Sequence, residues 1–196
     1  MPEPPGETTF DDLRTQLAAP APSLAGASAA ALTAAMAAAL VTMIGRASSD
    51  WQQGEQTARD ASELGDRLVA LAAEDAHVFG RVLEVVRASG LSDTERNERL
   101  GQALLDASEP AVAIAEAAAD VVRLATQAEA NGRASMKPDA AAASTLARAA
   151  VTSAALAIEA NLPASPQPSD EVRAASLRQR ARRATSRAQI AAPSSA

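Results

Sequence analysis

Residues 23–45 read SLAGASAAALTAAMAAALVTMIG and contain no charged side chain. Alanine has the highest intrinsic helix propensity, so this stretch predicts a helix from about Gly26 to Ala47. An uncharged stretch of this length can also span a bilayer, but alanine contributes little to membrane insertion and bulky apolar residues are few here. We therefore interpret it as a helix buried on all sides within a bundle, where small side chains let neighbouring backbones approach closely.

The composition of the whole chain favours the same class of structure. The 196 residues include 47% hydrophobic but only 2% aromatic side chains, and no tyrosine. Because there is no strand-length alternation of β-branched residues, we predict one all-α, alanine-rich bundle of about five to six core helices. The lack of cysteine excludes a disulfide framework and Cys-based zinc sites, and the single histidine, His77, excludes a two-histidine site within one chain. No metal site is predicted.

Capping residues and prolines mark the predicted helix ends. Thr9 precedes an acidic first turn, and Ser92 with Glu95 forms a capping-box pattern. The sequence SEP at 108–110 predicts a break, because proline favours the first turn of a helix. The helices predicted in this way run from Thr9 to Pro20, Gly26 to Ala47, Asp50 to Ala88, Ser92 to Ser108, Pro110 to Asn131 and Pro138 to Asn161.

Charge divides the chain into an acidic body and a basic C-terminal segment. We predict a flexible lead over residues 1–7, a helical domain over 8–163 and a Pro/Arg-rich basic tail over 164–196. The tail carries six arginines against two acidic residues, a net charge of +4, whereas residues 1–163 carry 12 basic and 22 acidic side chains, a net charge of −10. Residues 170–190 form either a basic helix or a disordered segment, because their apolar pattern is thin.

These charges and the N-terminal sequence bear on partners and location. An acidic body does not form the basic surface that nucleic acids require, so no nucleic acid is expected as its partner. The N-terminus lacks the basic and apolar regions of a secretory signal, so we expect a cytoplasmic protein with no membrane partner. We interpret the tail arginines as solvated, with binding to an acidic partner, RNA or an anionic membrane as the alternative.

The third predicted helix contains a charged residue at an apolar position. Asp75 is the only charged member of a seam whose steps alternate between four and three residues. A buried carboxylate must be paired, hydrogen-bonded or protonated, and burial raises its pKa toward the range of a general acid or base. The structural alternative is an aspartate that pairs with an arginine or caps a neighbouring helix. The seam consists of Leu64, Leu68, Leu71, Asp75, Val78, Val82 and Val85.

The last predicted core helix has polar candidates at both ends. Asp139 falls in its first turn, where free backbone N–H groups stabilise a carboxylate, and Lys137 just before it can meet an anionic ligand. Asn161 lies at the C-terminal end of a stripe of mostly small, apolar residues and offers both donor and acceptor groups. The structural alternatives are an ordinary helix start and a helix-end cap.

Several short segments occur in an order and at a spacing that resemble one known family. They are TFDDL at 9–13, PSLAGASAAAL at 22–32, EDAHVF at 74–79, SEP at 108–110, NG at 131–132, PDAA at 138–141 and ALAIEANLP at 155–163. The chain resembles the cyclodeaminase/cyclohydrolase family, the all-helical family of formimidoyltetrahydrofolate cyclodeaminase and of one type of methenyltetrahydrofolate cyclohydrolase. The resemblance covers roughly residues 8–163 and implies a helical bundle that forms a homodimer.

The resemblance also implies a substrate and site residues. The substrate would be a tetrahydrofolate derivative carrying a one-carbon unit, either hydrolysed as methenyltetrahydrofolate or cyclised as formimidoyltetrahydrofolate with loss of ammonia, and no prosthetic group is implied. Asp75 and Asp139 are the catalytic candidates, because a carboxylate can transfer a proton or stabilise a cationic amidine-like centre. Lys137 or Arg133 can meet the glutamate carboxylates of the folate. The substrate-binding candidates are Gly26, Ser28, Lys137 and Asn161.

Departures from the family pattern motivate an alternative function. Ala25 and Ala27 stand where the family has two of three glycines, and alanine does not adopt φ > 0 or permit close backbone approach as cheaply. Leu24 replaces a proline, Ala157 stands where asparagine is common, and RASSDW at 46–51 replaces another polar segment. The alternative is a non-catalytic helical dimer of the same fold that serves as a binding or structural module.

Overall fold

Helices make up almost all of the structure, a computed structural model that describes residues 9–19, 24–162 and 168–191. No strand occurs within these ranges, so the predicted all-α bundle is confirmed. The flexible lead predicted for residues 1–7 lies outside the described residues, as do the prolines predicted to follow the first helix. The α-helices within the described ranges are α1 (Phe10–Leu17), α2 (Gly26–Ala47), α3 (Gly54–Arg87), α4 (Asp93–Asn131), α5 (Lys137–Asn161) and α6 (Pro168–Ile190), with a 3₁₀ turn at Ala134–Met136.

Two helix starts form as the sequence predicts. At α1 the N–H of Asp12 donates to Thr9 Oγ1 (3.2 Å), and the N–H of Thr9 donates to Asp12 Oδ2 (3.1 Å). At α4 the N–H of Glu95 donates to Ser92 Oγ (3.3 Å), and the N–H of Ser92 donates to Glu95 Oε2 (3.0 Å). Each capping box satisfies two backbone donors that a helix start otherwise leaves free, so local sequence sets these two boundaries.

The break predicted at residues 108–110 is wrong, because α4 continues through Pro110 to Asn131. Proline in a helix interior removes a backbone donor and clashes with the preceding turn, which costs about 3 kcal/mol or more. Pro110 is buried, and Val112 and Ile114 beyond it are fully buried. Burial of these apolar side chains offsets the lost hydrogen bond, and the sequence around a proline does not reveal this burial.

α2 and α3 form a closely packed antiparallel pair. A Cβ added at Gly54 would lie 2.7 Å from the carbonyl oxygen of Gly45, so the two backbones meet where the helices are joined. Close approach increases the dispersion contacts that each residue makes, and alanine packing thereby replaces the bulk that aromatic residues usually supply. The alanines of α2 that are at most 4% exposed are Ala27, Ala30, Ala31, Ala34, Ala37 and Ala38.

The expectation that α2 is buried on all sides is wrong. Met36 is 51% exposed, Met43 is 42% exposed, and Ala39 between them is also exposed. We call these three residues the outer face of α2. Two segments, Gly26–Ala47 and Ala134–Asn161, are long and apolar enough to cross a membrane by length and composition, and 56% and 39% of their most apolar windows are buried inside the bundle. The outer face is thus apolar surface that the bundle leaves uncovered.

α5 runs back along α2 in the opposite direction. The N–H of Arg133 donates to Ser48 Oγ at 2.9 Å, which places the start of α5 beside the end of α2. α5 then packs along α2, so Asn161 lies at the end of the bundle where α2 begins. Because α2 has 22 residues, its two ends are about 33 Å apart.

The C-terminal segment forms a helix, one of the two structures predicted for residues 170–190. Pro168–Ile190 forms α6, which packs against α4 and α5. Val172 and Ile190, two of its large apolar residues, are 79% and 83% exposed. α6 instead buries a seam with steps of three and four residues, the spacing of one helix face. This seam consists of Ala174, Leu177, Ala181, Ala184 and Ala188.

Three arginines of α6 form ion pairs with acidic residues of α4. Arg180 donates to both carboxylate oxygens of Glu116 at 2.9 and 2.8 Å, and these hydrogen bonds lower the pKa of Glu116. Arg173 and Arg187 lie one heptad before and after Arg180. The arginines expected to be solvated therefore include three that hold α6 on the bundle. The pairs are Arg173 with Asp106 and Glu109, Arg180 with Glu109 and Glu116, and Arg187 with Asp120.

Replacing Arg180 tests whether these pairs hold α6 in place. We expect Arg180→Met to lower the free energy of unfolding at neutral pH by about 1 kcal/mol, since the pair is bidentate but partly exposed. Because the pKa of Glu116 is lowered, its contribution is present above the ordinary glutamate pKa and is lost as the pH falls through the lowered value. Urea denaturation should therefore show a smaller difference between variant and wild type in acid than at neutral pH.

The control is Arg183→Met, because Arg183 is exposed on the same helix and forms no ion pair in the described ranges. This variant should unfold like the wild type. Equal losses of stability in the two variants would contradict a specific role for the Arg180 pair.

Candidate functional site

The candidate site starts from a buried contact between α2 and α3. Asp75 is 5% exposed and Ser28 is fully buried. The hydroxyl of Ser28 donates to Asp75 Oδ2 at 2.5 Å, although the two residues are 47 positions apart in the sequence. This contact joins the apolar seam of α3 to the start of α2.

Asp75 lies at the N-terminus of α2, where it acts as a cap. The N-cap residue, Ala25, makes no side-chain hydrogen bond to the helix. Ser28 is the third residue of α2, so its backbone N–H has no acceptor within the helix. Both this N–H and the hydroxyl of Ser28 stabilise the charged form of Asp75, as does the positive end of the helix dipole. The geometry is that of the structural alternative, an aspartate that caps a neighbouring helix.

Burial nevertheless raises the pKa of Asp75 above its ordinary value. Loss of solvation is the largest cause, and the hydrogen bonds from Ser28 oppose it. No charged residue in the described part of the chain contributes to the shift. A carboxyl group with a raised pKa exchanges its proton closer to neutral pH, so the arrangement also suits a general acid or base.

Two of the predicted substrate-binding residues lie at the same end of the bundle. Gly26 is exposed at the start of α2, and Asn161 is half-buried at the end of α5. A Cβ added at Gly26 would meet no atom within 4 Å, so packing within the chain does not require glycine there. We call Gly26, Ser28, Asp75 and Asn161 the first group.

The other predicted residues lie at the opposite end of the bundle. Arg133 and Lys137 are exposed and Asp139 is half-buried, all beside the end of α2 that is marked by Ser48. The length of α2 separates the two ends by about 33 Å. The structure therefore does not bring Asp75 and Asp139 together within one chain. We call Arg133, Lys137 and Asp139 the second group.

Three surface cavities lie away from Asp75, which lines none of them. One groove of about 770 Å³ runs between the C-terminal half of α2 and the N-terminal half of α3, and another of about 760 Å³ runs between α5 and α6. The third cavity, of about 240 Å³, lies between the α2–α3 and α4–α5 connections. This third cavity adjoins the second group.

The third cavity contains residues that the sequence prediction missed. Trp51 is 8% exposed, and its indole Nε1 is buried without a hydrogen-bond partner among the described residues. The departure from the family pattern at residues 46–51 is the signal that marks this place in the sequence. The lining residues are Ser48, Ser49, Asp50, Trp51, Asn131, Gly132, Arg133 and Ala134.

Comparison with known proteins establishes the family. Residues 9–183 match the family described as formiminotransferase-cyclodeaminase. The chain belongs to this family. The family resemblance found in the sequence is therefore confirmed, and the formiminotransferase-cyclodeaminase match extends past residue 163 into α6, in agreement with the packing of α6 on the bundle.

A solved structure has the same fold as this formiminotransferase-cyclodeaminase family member. The crystal structure of formiminotetrahydrofolate cyclodeaminase from Thermotoga maritima matches with a TM-score of 0.73 and 16% sequence identity, over 95% of this chain and 96% of that chain. At this identity the likeness shows the fold alone. A comparison with curated proteins finds no match.

Asp75→Asn removes the titrating group and keeps a side-chain oxygen that can accept the hydrogen bond from Ser28. Folding raises the pKa of Asp75, so its contribution to stability is present while the carboxyl group is protonated and is lost as the pH rises through the raised pKa. We therefore expect Asp75→Asn to gain stability relative to the wild type as the pH rises from acid to neutral. Urea denaturation across this range measures the difference in free energy of unfolding.

Ser28→Ala is the matched variant, because it removes a hydrogen bond that favours the charged form of Asp75. As the pH rises, the free energy of unfolding of Ser28→Ala should therefore continue to fall up to a higher pH than that of the wild type. A wild-type protein that loses stability relative to Asp75→Asn as the pH falls would show that the pKa of Asp75 is lowered instead.

Proposed function

We propose that this protein is an enzyme of one-carbon metabolism that acts on a tetrahydrofolate derivative. It hydrolyses methenyltetrahydrofolate or cyclises formimidoyltetrahydrofolate with loss of ammonia, in the cytoplasm and without a prosthetic group. Family membership supports the class of substrate. The observation that carries the chemistry is the buried carboxyl group of Asp75 at the start of α2.

Both reactions need proton transfer beside a cationic carbon. In the hydrolysis, water adds to the methenyl carbon that bridges N5 and N10, and one C–N bond then breaks. In the cyclisation, N10 attacks the formimidoyl carbon and ammonia leaves. Asp75 can accept the proton that the attacking water or nitrogen releases and return it to the leaving nitrogen. Its charged form also stabilises the cationic centre, while Ser28 holds the carboxylate in place.

The first and second groups can act on one substrate only if two copies of the chain contribute. Within one chain about 33 Å separates the groups, which is the length of α2. Lys137 and Arg133 suit the glutamate carboxylates of a folate, and Asp139 supplies a second carboxylate. A homodimer unites the groups when the start of α2 in one copy lies beside the end of α2 in the other.

The outer face of α2 suits this contact. Met36 lies near the middle of α2, and Ala39 and Met43 continue the exposed apolar face. Exposed apolar patches on a folded protein mark sites of interaction. A closed dimer repeats one contact about a two-fold axis, and an axis that crosses α2 near Met36 makes the two α2 helices antiparallel. Each site then combines the first group of one copy with the second group of the other.

A non-catalytic helical dimer is the second candidate. Asp75 caps α2 and lines none of the three cavities, and these observations favour a structural role for it. Ala25 and Ala27, which replace glycines of the family pattern, point in the same direction. In this case a folate would bind without being converted, or would not bind.

Turnover of the two folates tests the proposed reaction. We expect the wild type to accelerate the loss of methenyltetrahydrofolate absorbance, or the release of ammonia from formimidoyltetrahydrofolate, above the rate in buffer. Asp75→Asn should lower kcat by about a hundredfold or more, the range that a general acid or base contributes. Glu74→Gln, which changes the exposed neighbour on the same helix, should keep wild-type activity.

Lack of turnover of both folates would reject the enzyme. A thermal shift that grows with folate concentration would then identify a binding module. No shift with either folate would leave the structural dimer as the function of the fold.

Mixing two inactive variants tests whether the site is shared. When Asp75→Asn and Asp139→Asn are co-expressed, a mixed dimer has one site with both changes and one site with neither. Random pairing should therefore restore about one quarter of wild-type activity, because half of the dimers are mixed and each has one intact site. If each site is built within one copy, every site carries one change and co-expression restores nothing.

A further inference from the structure

The third cavity lies between two connections that are fixed to each other within one chain. The hydroxyl of Ser48 donates to the carbonyl oxygen of Ile44 at 2.7 Å and accepts from the N–H of Arg133 at 2.9 Å. It thereby ties the α2–α3 connection to the α4–α5 connection. A Cβ added at Gly132 would lie 2.8 Å from Ile44 Cγ2, so the two connections approach closely. A site whose walls are held in this way can bind a ligand in a defined position.

The size of the third cavity suits one part of a folate. Its volume is about 240 Å³, whereas pockets for whole drug-sized ligands measure about 300–1,000 Å³. A folate consists of a pterin ring, an aminobenzoyl ring and glutamate. The polar groups that line the cavity decide which of these parts it accepts.

Asp50 supplies hydrogen-bond acceptors in the third cavity. It lines the cavity, is exposed and forms no ion pair within the described ranges. Its Oδ1 accepts a long hydrogen bond from Ser49 Oγ at 3.3 Å. Because Arg133 lines the same cavity, the two charges balance. An uncharged ligand with both donors and acceptors therefore fits better than the glutamate end, whose two negative charges Asp50 repels.

Trp51 adds a donor that lacks an acceptor. It lines the cavity and is 8% exposed, and its Nε1 is buried without a hydrogen-bond partner among the described residues. A buried N–H without an acceptor is unfavourable, so a ligand oxygen that accepts from Nε1 would remove this cost. The indole also offers an aromatic surface on which a flat ring can pack.

The pyrimidine edge of a reduced pterin has the matching groups. Its ring N–H and its exocyclic amino group are adjacent donors, and the carbonyl oxygen beside them is an acceptor. A carboxylate such as that of Asp50 accepts two parallel N–H donors, as it does from a guanidinium group, and Trp51 Nε1 can donate to the carbonyl oxygen. The aminobenzoyl ring has no such edge.

The dimer proposed above places the third cavity beside Asp75 of the second copy. Residues that follow α2 line the cavity, and the end of α2 in one copy lies beside the start of α2 in the other. In a pterin held by its pyrimidine edge, N5 belongs to the other ring and faces out of the cavity. The one-carbon unit on N5 is then presented to the carboxyl group of Asp75.

We propose that the third cavity binds the pterin ring of the substrate and that Asp50 determines specificity for this ring. The inference rests on the proposed function, since a tetrahydrofolate derivative supplies the ring. Asp50 accepts from the ring N–H and the amino group, Trp51 donates to the carbonyl oxygen, and Lys137, which does not line the cavity, is left to the glutamate carboxylates. Asp50 and Trp51 belong to the segment at residues 46–51 that departs from the family pattern.

Binding of substrate fragments tests this assignment. We expect tetrahydropterin, kept reduced under anaerobic conditions, to bind the wild type and to change the fluorescence of Trp51, the single tryptophan of the chain. Aminobenzoylglutamate should do neither. In calorimetry, Asp50→Asn should weaken tetrahydropterin binding about tenfold or more, the effect of losing one good bidentate pair. The control Asp93→Asn, at the exposed start of α4, should bind like the wild type.

A tetrahydropterin without the exocyclic amino group tests the same contact from the side of the ligand. The wild type should bind this analogue about tenfold more weakly than tetrahydropterin. Asp50→Asn should discriminate little between the two ligands, because the contact is already lost. Equal discrimination by both proteins, or no binding of tetrahydropterin to the wild type, would overturn the pterin site.

Folate kinetics separate this inference from the proposed function. Asp50→Asn should raise KM for the folate with little change in kcat, whereas Asp75→Asn should lower kcat. A wild-type KM in Asp50→Asn, or binding of aminobenzoylglutamate with a response of Trp51, would overturn the pterin site and leave the proposed reaction intact. Tetrahydropterin binding that depends on Asp50, in a protein that turns over neither folate, would support the pterin site and reject the reaction.

Discussion

The buried contact between Ser28 and Asp75 is the constraint on which the site depends. A carboxyl group in the apolar seam of α3 loses its hydration, and an unsatisfied buried polar group costs about 1–3 kcal/mol. The structure avoids this cost by placing Asp75 against the backbone N–H and the hydroxyl of Ser28 at the start of α2. The same contact therefore caps α2 and joins it to α3, while burial keeps the pKa of Asp75 above its ordinary value. Ser28 and Asp75 therefore both stabilise the packing of α2 on α3 and provide the titrating group for the proposed reaction.

The directions of α2 and α5 explain why the remaining polar candidates are so far apart. Gly26 lies at the start of α2 and Asn161 at the end of α5, whereas Lys137 and Asp139 lie in the first turn of α5. Because α5 runs opposite to α2, Gly26 and Asn161 lie at one end of the bundle, and Lys137 and Asp139 lie at the other end. A site that uses both must lie between chains.

Local signals allowed much of the fold to be predicted, and tertiary packing accounts for the errors. The capping box from Ser92 to Glu95 lies within four consecutive residues, so local sequence was enough to predict the start of α4 correctly. Pro110 was misread because the burial that keeps α4 continuous comes from other helices. For residues 170–190 the sequence left a helix and a disordered segment open, because a seam made mostly of alanine hardly differs in hydropathy from its surroundings. For the site, periodicity singled out Asp75, but its contact with Ser28, 47 residues away, is a tertiary fact that no local pattern contains.

As a helix cap and as a buried group, Asp75 has two roles that favour opposite charge states of its carboxyl group. Protonation removes a charge that stabilises the dipole of α2, but loss of solvation outweighs this effect, so the folded protein favours the protonated form. A cationic centre bound beside Asp75 would favour the carboxylate, which is the form that caps α2, so substrate binding and capping would act in the same direction.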